Sequence, residues 1–220
     1  MMSNLFSIFD PSSSTMIPNW ISMMLFLIIM PASFWATKTT NKTIMNKMEL
    51  LISKEFLIIL QEKKSAIILF TSIFILIAIN NSLGLTSYTF TATSHLMVTL
   101  SMALPLWTGL MIFYWTNKTM EALAHLVPNG TPSALIPFMV LIEMISNIIR
   151  PITLSVRLAA NMIAGHLLLT LLGNNGPQMS LIFILPLMSS QILLMLLETA
   201  VAFIQAYVFS ILSTLYSSET

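Results

Sequence analysis

Two apolar runs in the second half of this 220-residue chain limit its possible folds more than any other feature. One extends from about Pro132 to Leu172 and the next from about Met179 to Leu215, with only the hexapeptide GNNGPQ between them. As continuous helices rising about 1.5 Å per residue, each would measure roughly 55–60 Å. That is nearly twice the apolar thickness of a bilayer, about 30 Å. Each run must therefore fold as two crossings or stand as one long, strongly tilted helix. Two crossings apiece would need polar turns at the midpoints, where only Pro151 and Pro186 occur. In a membrane, proline within apolar sequence kinks a helix more often than it ends one. The expected arrangement is a hairpin of two long, tilted, kinked helices.

Three shorter apolar stretches precede the hairpin, near Ile17–Ala36, Ser65–Leu85 and His95–Trp115. Each is about the 20 residues that a crossing needs. Thr93 and Ser94 are expected N-caps for the third, and Pro105 should loosen it at the carbonyl of Ser101. Only 8% of the chain is charged, against about 25% in an ordinary soluble domain. The fold class expected is an all-α polytopic membrane protein with about five membrane-crossing helices. Residues 1–220 read as a single integral-membrane unit. Within it, 1–64 carry the first span and a connector, 65–131 two more spans, and 132–220 the hairpin.

Six of the nine basic residues (Lys38, Lys42, Lys47, Lys54, Lys63 and Lys64) lie in that connector. Ile44, Met48, Ile52, Phe56 and Ile59/Leu60 recur there at helical spacing, although Leu50, Leu57 and Ile58 blur the stripe. This suggests one interfacial amphipathic helix. The positive-inside rule assigns the connector to the cytoplasm-like side, with the N-terminus outside and the C-terminus inside. Lys118, two crossings further on, falls on the same inner side.

Composition excludes several functions. A net charge of +1 leaves no polyanion footprint, so no nucleic-acid partner is expected. The absence of cysteine excludes disulfides, thiolate zinc sites and iron–sulfur clusters. No phosphate loop, nucleophile triad or HExxH occurs, so ATP-site chemistry is not expected, nor is any cofactor. Glu121 and His125, four residues apart, make a poor metal site. The Asn-x-Ser/Thr triplets at Asn41, Asn80, Asn117 and Asn129 read as chance. No Lys or Arg precedes Lys38, so neither a secretory signal nor a transit peptide is expected. Eighteen methionines fit either adaptable packing or the codon bias of a small organellar genome.

The chemistry is concentrated in the hairpin. Arg157 lies deep in apolar sequence, where a charge costs from roughly 2.5 to well over 10 kcal/mol. An ionisable group at such depth reads by default as functional. Glu143, Arg150 and Arg157 are spaced by seven and share one helix face, which Asn147 and Asn161 extend. Glu143 and Arg150 either neutralise one another, sit near an interface, or join Arg157 in function. His166, nine residues beyond Arg157, points to about the opposite face. On the last helix, Gln191, Glu198 and Gln205 are again spaced by seven. Straight helices folded about GNNGPQ would not pair His166 directly with Glu198. Ala159, Ala160, Ala164 and Gly165 around Arg157 would let another helix approach closely. A carboxylic acid in lipid prefers its proton, and facing a fixed arginine it prefers to ionise. A moving carboxylate partner would thus make a proton-release device.

Three segments carry a resemblance: SHLMVTLSMALPLW, AHLVPNGTPSALIPFMVLIEMISNIIRPITLSVRLAANMIAGHLLLTLLG and LETAVAFIQAYVFSILSTLY. Together they resemble subunit a of the proton-translocating ATP synthase, in its mitochondrial form. The patterns RLxxNMxAGH and ExxxxxIQAYVF are the specific part. The resemblance implies a non-catalytic stator subunit with two aqueous half-channels in the mitochondrial inner membrane. It implies that Arg157 faces a rotor ring of small carboxylate-bearing subunits, with Asn161 and Gln205 as its polar neighbours. His166 and Glu198 would belong to the half-channel from the intermembrane space, and Glu143 to the one opening to the matrix. Asn80 and Asn81 would line the outer wall, with Arg150 and Gln191 as further lining candidates. Peripheral-stalk and other membrane-sector subunits are the remaining expected partners, besides lipid. Ser87 departs from the family's usual proline in GLTSY. A self-contained secondary transporter is the alternative, but it would need inverted repeats, and none is evident.

Overall fold

The computed structural model describes residues 5–12, 19–31, 39–60, 64–86, 89–127, 132, 135–176 and 180–219. Among these are seven α-helices: α1 (Leu25–Ile29), α2 (Thr40–Leu60), α3 (Lys64–Gly84), α4 (Leu96–Asn117), α5 (Thr119–His125), α6 (Ile136–Asn175) and α7 (Leu181–Glu219). Short 3-10 turns at Leu5–Phe9, Asn19–Met24 and Ala92–Ser94 complete the described secondary structure. Four of the helices are long and apolar enough to cross a membrane, and the chain is an all-α polytopic membrane protein.

Each long run is a single helix. α6 spans 40 residues through Pro151, and α7 spans 39 through Pro186. α4 likewise continues through Pro105. The expected first span is represented by Asn19–Ile29, eleven helical residues, and its two ends near 17–18 and 32–36 lie outside the described residues. Lys38, Lys63, Ser87 and Asn129 also lie outside them.

One capping expectation is corrected. Thr93 and Ser94 form a 3-10 turn instead of capping α4, and Ser94 Oγ donates to the Thr91 carbonyl at 2.7 Å. The N-cap of α4 is His95, in extended conformation and without a side-chain cap bond. Its carbonyl accepts the first backbone bonds of the helix, from Val98 and Thr99.

The connector helix α2 is bound by half of its stripe. Phe56 and Leu60 are buried with Ile67 and Phe70 of α3, and Ile52 and Ile211 pack against them. Ile44 and Met48, at the other end, stay exposed. Where α3, α4, α6 and α7 meet, Ile77, Ala78, Ala103, Leu154, Leu158, Ala206 and Phe209 form the main core. Three alanines in that set let backbones approach closely, the packing mode that membranes favour. α3 runs along α7 and α4 along α6, with α6 and α7 in contact as the hairpin.

Most hydroxyls in these helices are satisfied within their own helix. Thr71 donates to Ile67 O at 2.9 Å, Ser155 to Ile152 O at 2.8 Å and Ser210 to Tyr207 O at 2.9 Å. Such back-bonding hides a polar group where lipid offers no partner. The outward surface is correspondingly apolar: Leu185 is 80% exposed and Leu196 68%.

Candidate functional site

Three pairs define how α6 meets α7. Asn161 Nδ2 donates to Gln205 Oε1 at 3.0 Å. A Cβ on Gly165 would lie 2.6 Å from Glu198 Cδ and 2.9 Å from its Cγ. One on Gly173 would lie 3.9 Å from Gln191 Nε2. All three fit one antiparallel register centred near residue 182, several residues beyond GNNGPQ. This register brings Glu198 against Gly165, the residue next to His166, while His166 Nε2 and both Glu198 oxygens have no hydrogen-bond partner among the described residues. The physical reason for the register is that the first turns of α7 run past the end of α6, which shifts its polar positions back along it.

The polar groups fall into two clusters. We call distal the end where α3 and α6 finish, and proximal the end that holds the connector. Buried side-chain N and O atoms without a hydrogen-bond partner among the described residues belong to only six residues: Asn80, Asn81, Thr93, His95, His166 and Glu198. All lie in the distal half. Glu198 is 5% exposed, and neither of its carboxyl oxygens finds a donor among the described residues. Asn81 is fully buried and donates to the Ala202 carbonyl at 3.4 Å, one turn along α7 from Glu198. The His166 imidazole meets the backbone of Gly84 on one side and the Phe9 ring, edge on at 6.3 Å, on the other. Gly84 is pinned between Thr91 and Met162, at 3.0 and 3.3 Å from its Cβ position. Buried polar atoms normally find partners. The six residues that carry an atom without one are gathered in one half of an otherwise apolar bundle.

At the proximal end α4, α5, α6 and α7 enclose a cleft of about 510 Å³. Glu143, Asn147, Arg150, His125, Tyr114 and Tyr216 give it its polar character. Arg150 reaches Glu143 at 3.8 Å, and its guanidinium lies 5.3 Å from the centre of the Tyr216 ring. This is a loose ion pair, with each side chain about one-third exposed (36% and 33%). Glu121 instead pairs with Lys118 at 3.2 Å. Among the described residues there is no group of three side chains able to hold a metal ion.

Arg157 sits between the clusters and belongs to neither. It is exposed on α6, one turn from the Asn161–Gln205 bond, and it forms no hydrogen bond or ion pair with another described residue. Ala160 and Ala164 share its exposed side, whereas Ala159 and Gly165 turn inward. The heptad stripe therefore parts: Glu143 and Arg150 enter the cleft, and Arg157 faces out.

Sequence reasoning missed His95 and Thr93, which it took only as the start of a span. It took Gly165 for a generic small residue, and it overlooked Tyr216. The available signal for His95 was its rarity, as one of three histidines in the chain.

Four long apolar helices, a buried carboxyl group and an exposed arginine without a partner among the described residues define a class: a polytopic helical membrane protein with ionisable groups on its membrane-crossing helices. The family described as ATP synthase A chain matches residues 16–218, and the chain belongs to it. It is 54% identical to the ATP synthase subunit a of Drosophila mauritiana over 222 residues, which cover 100% of this chain and 99% of that one. The subunit a proteins of Locusta migratoria and Anopheles gambiae are also 54% identical, over 223 and 224 residues with the same coverage. The chain is thus a membrane-sector subunit of the synthase and not the catalytic one.

Proposed function

We propose that this chain is the proton-conducting stator subunit of its synthase, acting as one integral-membrane unit over residues 1–220. In this reading Asn80, Asn81, His166 and Glu198 line a distal half-channel, and Gln191 extends it. Glu143, with Asn147 and Arg150, lines a proximal one. Arg157, with Asn161 and Gln205, stands between them and faces a rotor ring of small carboxylate-bearing subunits. The observation that carries the reading is the exposed Arg157, without a partner among the described residues, flanked by two separate polar clusters.

Protons enter one half-channel and neutralise a ring carboxylate, which crosses lipid as the uncharged acid. On reaching Arg157 the carboxylate is favoured as the anion and releases its proton to the other half-channel. Arginine keeps its own charge, so it drives this exchange without taking part as a donor. It also blocks a direct leak between the clusters. A membrane potential biases the direction by about 2.3 kcal/mol per charge per 100 mV. The insect relatives support a mitochondrial inner-membrane location, and the basic connector supports a matrix C-terminus with the N-terminus in the intermembrane space.

The test is Arg157→Gln in the assembled synthase. Coupled proton flow should be lost while the complex still assembles, and normal proton-driven synthesis would refute the mechanism. Copurification with an oligomeric ring of carboxylate-bearing subunits tests the proposed partner, as copurification with peripheral-stalk subunits tests the other.

A further inference from the structure

Resting on the half-channel reading above, we infer that His95 is a second proton-exchanging imidazole of the distal half-channel, facing it from the α4 side as His166 does from α6. His95 is among the six residues that hold unpartnered buried polar atoms, through its Nε2. Its ring meets Trp20 at 5.4 Å and Phe90 at 5.2 Å, both in tilted contact, as one corner of a triad of rings. Trp20 and Phe90 also touch each other edge on at 5.7 Å, and Ser22 Oγ donates to the Phe90 carbonyl at 3.0 Å. The Asn19–Met24 turn is thereby clamped over the loop that leads into α4. The ring is held in place by aromatic contacts instead of hydrogen bonds.

The turn just before His95, Ala92–Ser94, packs on both α3 and α6, the helices that carry Asn80, Asn81 and His166. Thr93 of that turn is 2% exposed and its hydroxyl has no partner among the described residues. Unpartnered buried polar atoms thus occur at the N-cap of α4, on this turn and on the two helices it packs against. Residues 19–31 and 89–95 contain no Asp, Glu, Lys or Arg. On α3 the one charged residue is Lys64, at its proximal end, and on α6 Arg157 faces outward. Among the described residues, the titratable side chains left in the distal half are His166, Glu198 and Asp10, the last next to Phe9.

A histidine fits this task because one ring nitrogen can accept a proton while the other holds one. Hydronium arriving through channel water gives its proton to the imidazole and is left as water, and the imidazolium passes the proton to water or a neighbouring group further inward. No other bond changes. Contact with Trp20 and Phe90 suits the ring in either protonation state, since aromatic faces also attract cations.

Two variants in sealed vesicles carrying the assembled synthase test the inference. His95→Phe keeps the aromatic packing and His95→Gln keeps a polar group, but neither can exchange a proton near neutral pH. Both should assemble at normal content, measured on native gels. Proton-driven synthesis and ATP-driven pumping should fall about tenfold, less than the roughly hundredfold of a group acting in a transition state, because channel water also carries protons. The dependence of rate on pH should change on the distal side only. Normal rates with an unchanged distal pH profile in a variant that assembles would overturn the inference. Failure of both variants to assemble would overturn it too, by making the imidazole a packing group. Glu198→Gln and Arg157→Gln in the same vesicles separate the two readings. If those variants retain coupled flow, the half-channel reading itself falls. If they lose it while the His95 variants do not, only His95 is misassigned.

Discussion

The Glu198 carboxyl group rests directly on Gly165, so closely that a methyl group there would overlap it. The hydrogen atom on Gly165 is what leaves room for a carboxyl side chain between α6 and α7. Gly165→Ala should therefore displace the carboxyl group, because a flexible side chain yields before two packed backbones do. The strain should stay within about 1–3 kcal/mol, so the complex should assemble with a modestly lower Tm. Proton-driven synthesis should nevertheless fall as far as in Glu198→Gln. Shortening the acid in Gly165→Ala/Glu198→Asp should recover part of it, and an unaffected rate in Gly165→Ala would refute this account.

Asn161 and Gln205 hold the hairpin together one turn from Arg157. A double-mutant cycle with Asn161→Ala and Gln205→Ala, followed by thermal unfolding of the complex, should give a coupling of about 0.6 kcal/mol and no more than about 1.7, the mean and maximum between membrane helices. A coupling of zero would mean that the bond does not position α7.

In the proximal cleft the two partners should behave unequally. The Arg150–Glu143 contact, long and partly exposed, should contribute under about 1 kcal/mol to stability. Arg150→Gln should leave synthesis near normal, whereas Glu143→Gln should slow exchange with the proximal side. Loss of synthesis in Arg150→Gln as complete as in Arg157→Gln would contradict this division.

Tyr207 donates to Glu55 Oε2 at 3.0 Å and so ties α7 to the connector helix. Phe56 and Leu60 anchor α2 independently of that bond. In Tyr207→Phe, amide hydrogen exchange should rise over residues 40–54 and remain slow at Phe56–Leu60. Uniformly faster exchange through Leu60 would show that the bond, and not the apolar cluster, holds α2.

The helices themselves were legible, because apolar length and the charges around it are local properties. The continuity of α6 and α7 through Pro151 and Pro186 followed from the absence of polar turns. The register between them did not follow. GNNGPQ marks where the chain turns, but the contact depends on how far α7 overruns α6, which is a property of packing. A signal was nevertheless present: Gln191 and Glu198 on α7 face Gly173 and Gly165 on α6, polar side chains opposite residues that make room for them. The functional weight of His95 was hidden for a different reason. Its partners, Trp20 and Phe90, come from distant parts of the chain, and only the fold brings the three rings together.

The outward position of Arg157 has a consequence for biogenesis. Until the proposed carboxylate-bearing partner covers it, a cation exposed on a membrane-crossing helix costs about 2.5 kcal/mol or more. A newly inserted chain is thus less comfortable in the bilayer alone than in its complex. Docking relieves that penalty, so the residue proposed to govern rotation also distinguishes orphaned copies from assembled ones, a difference that membrane quality control could read as turnover.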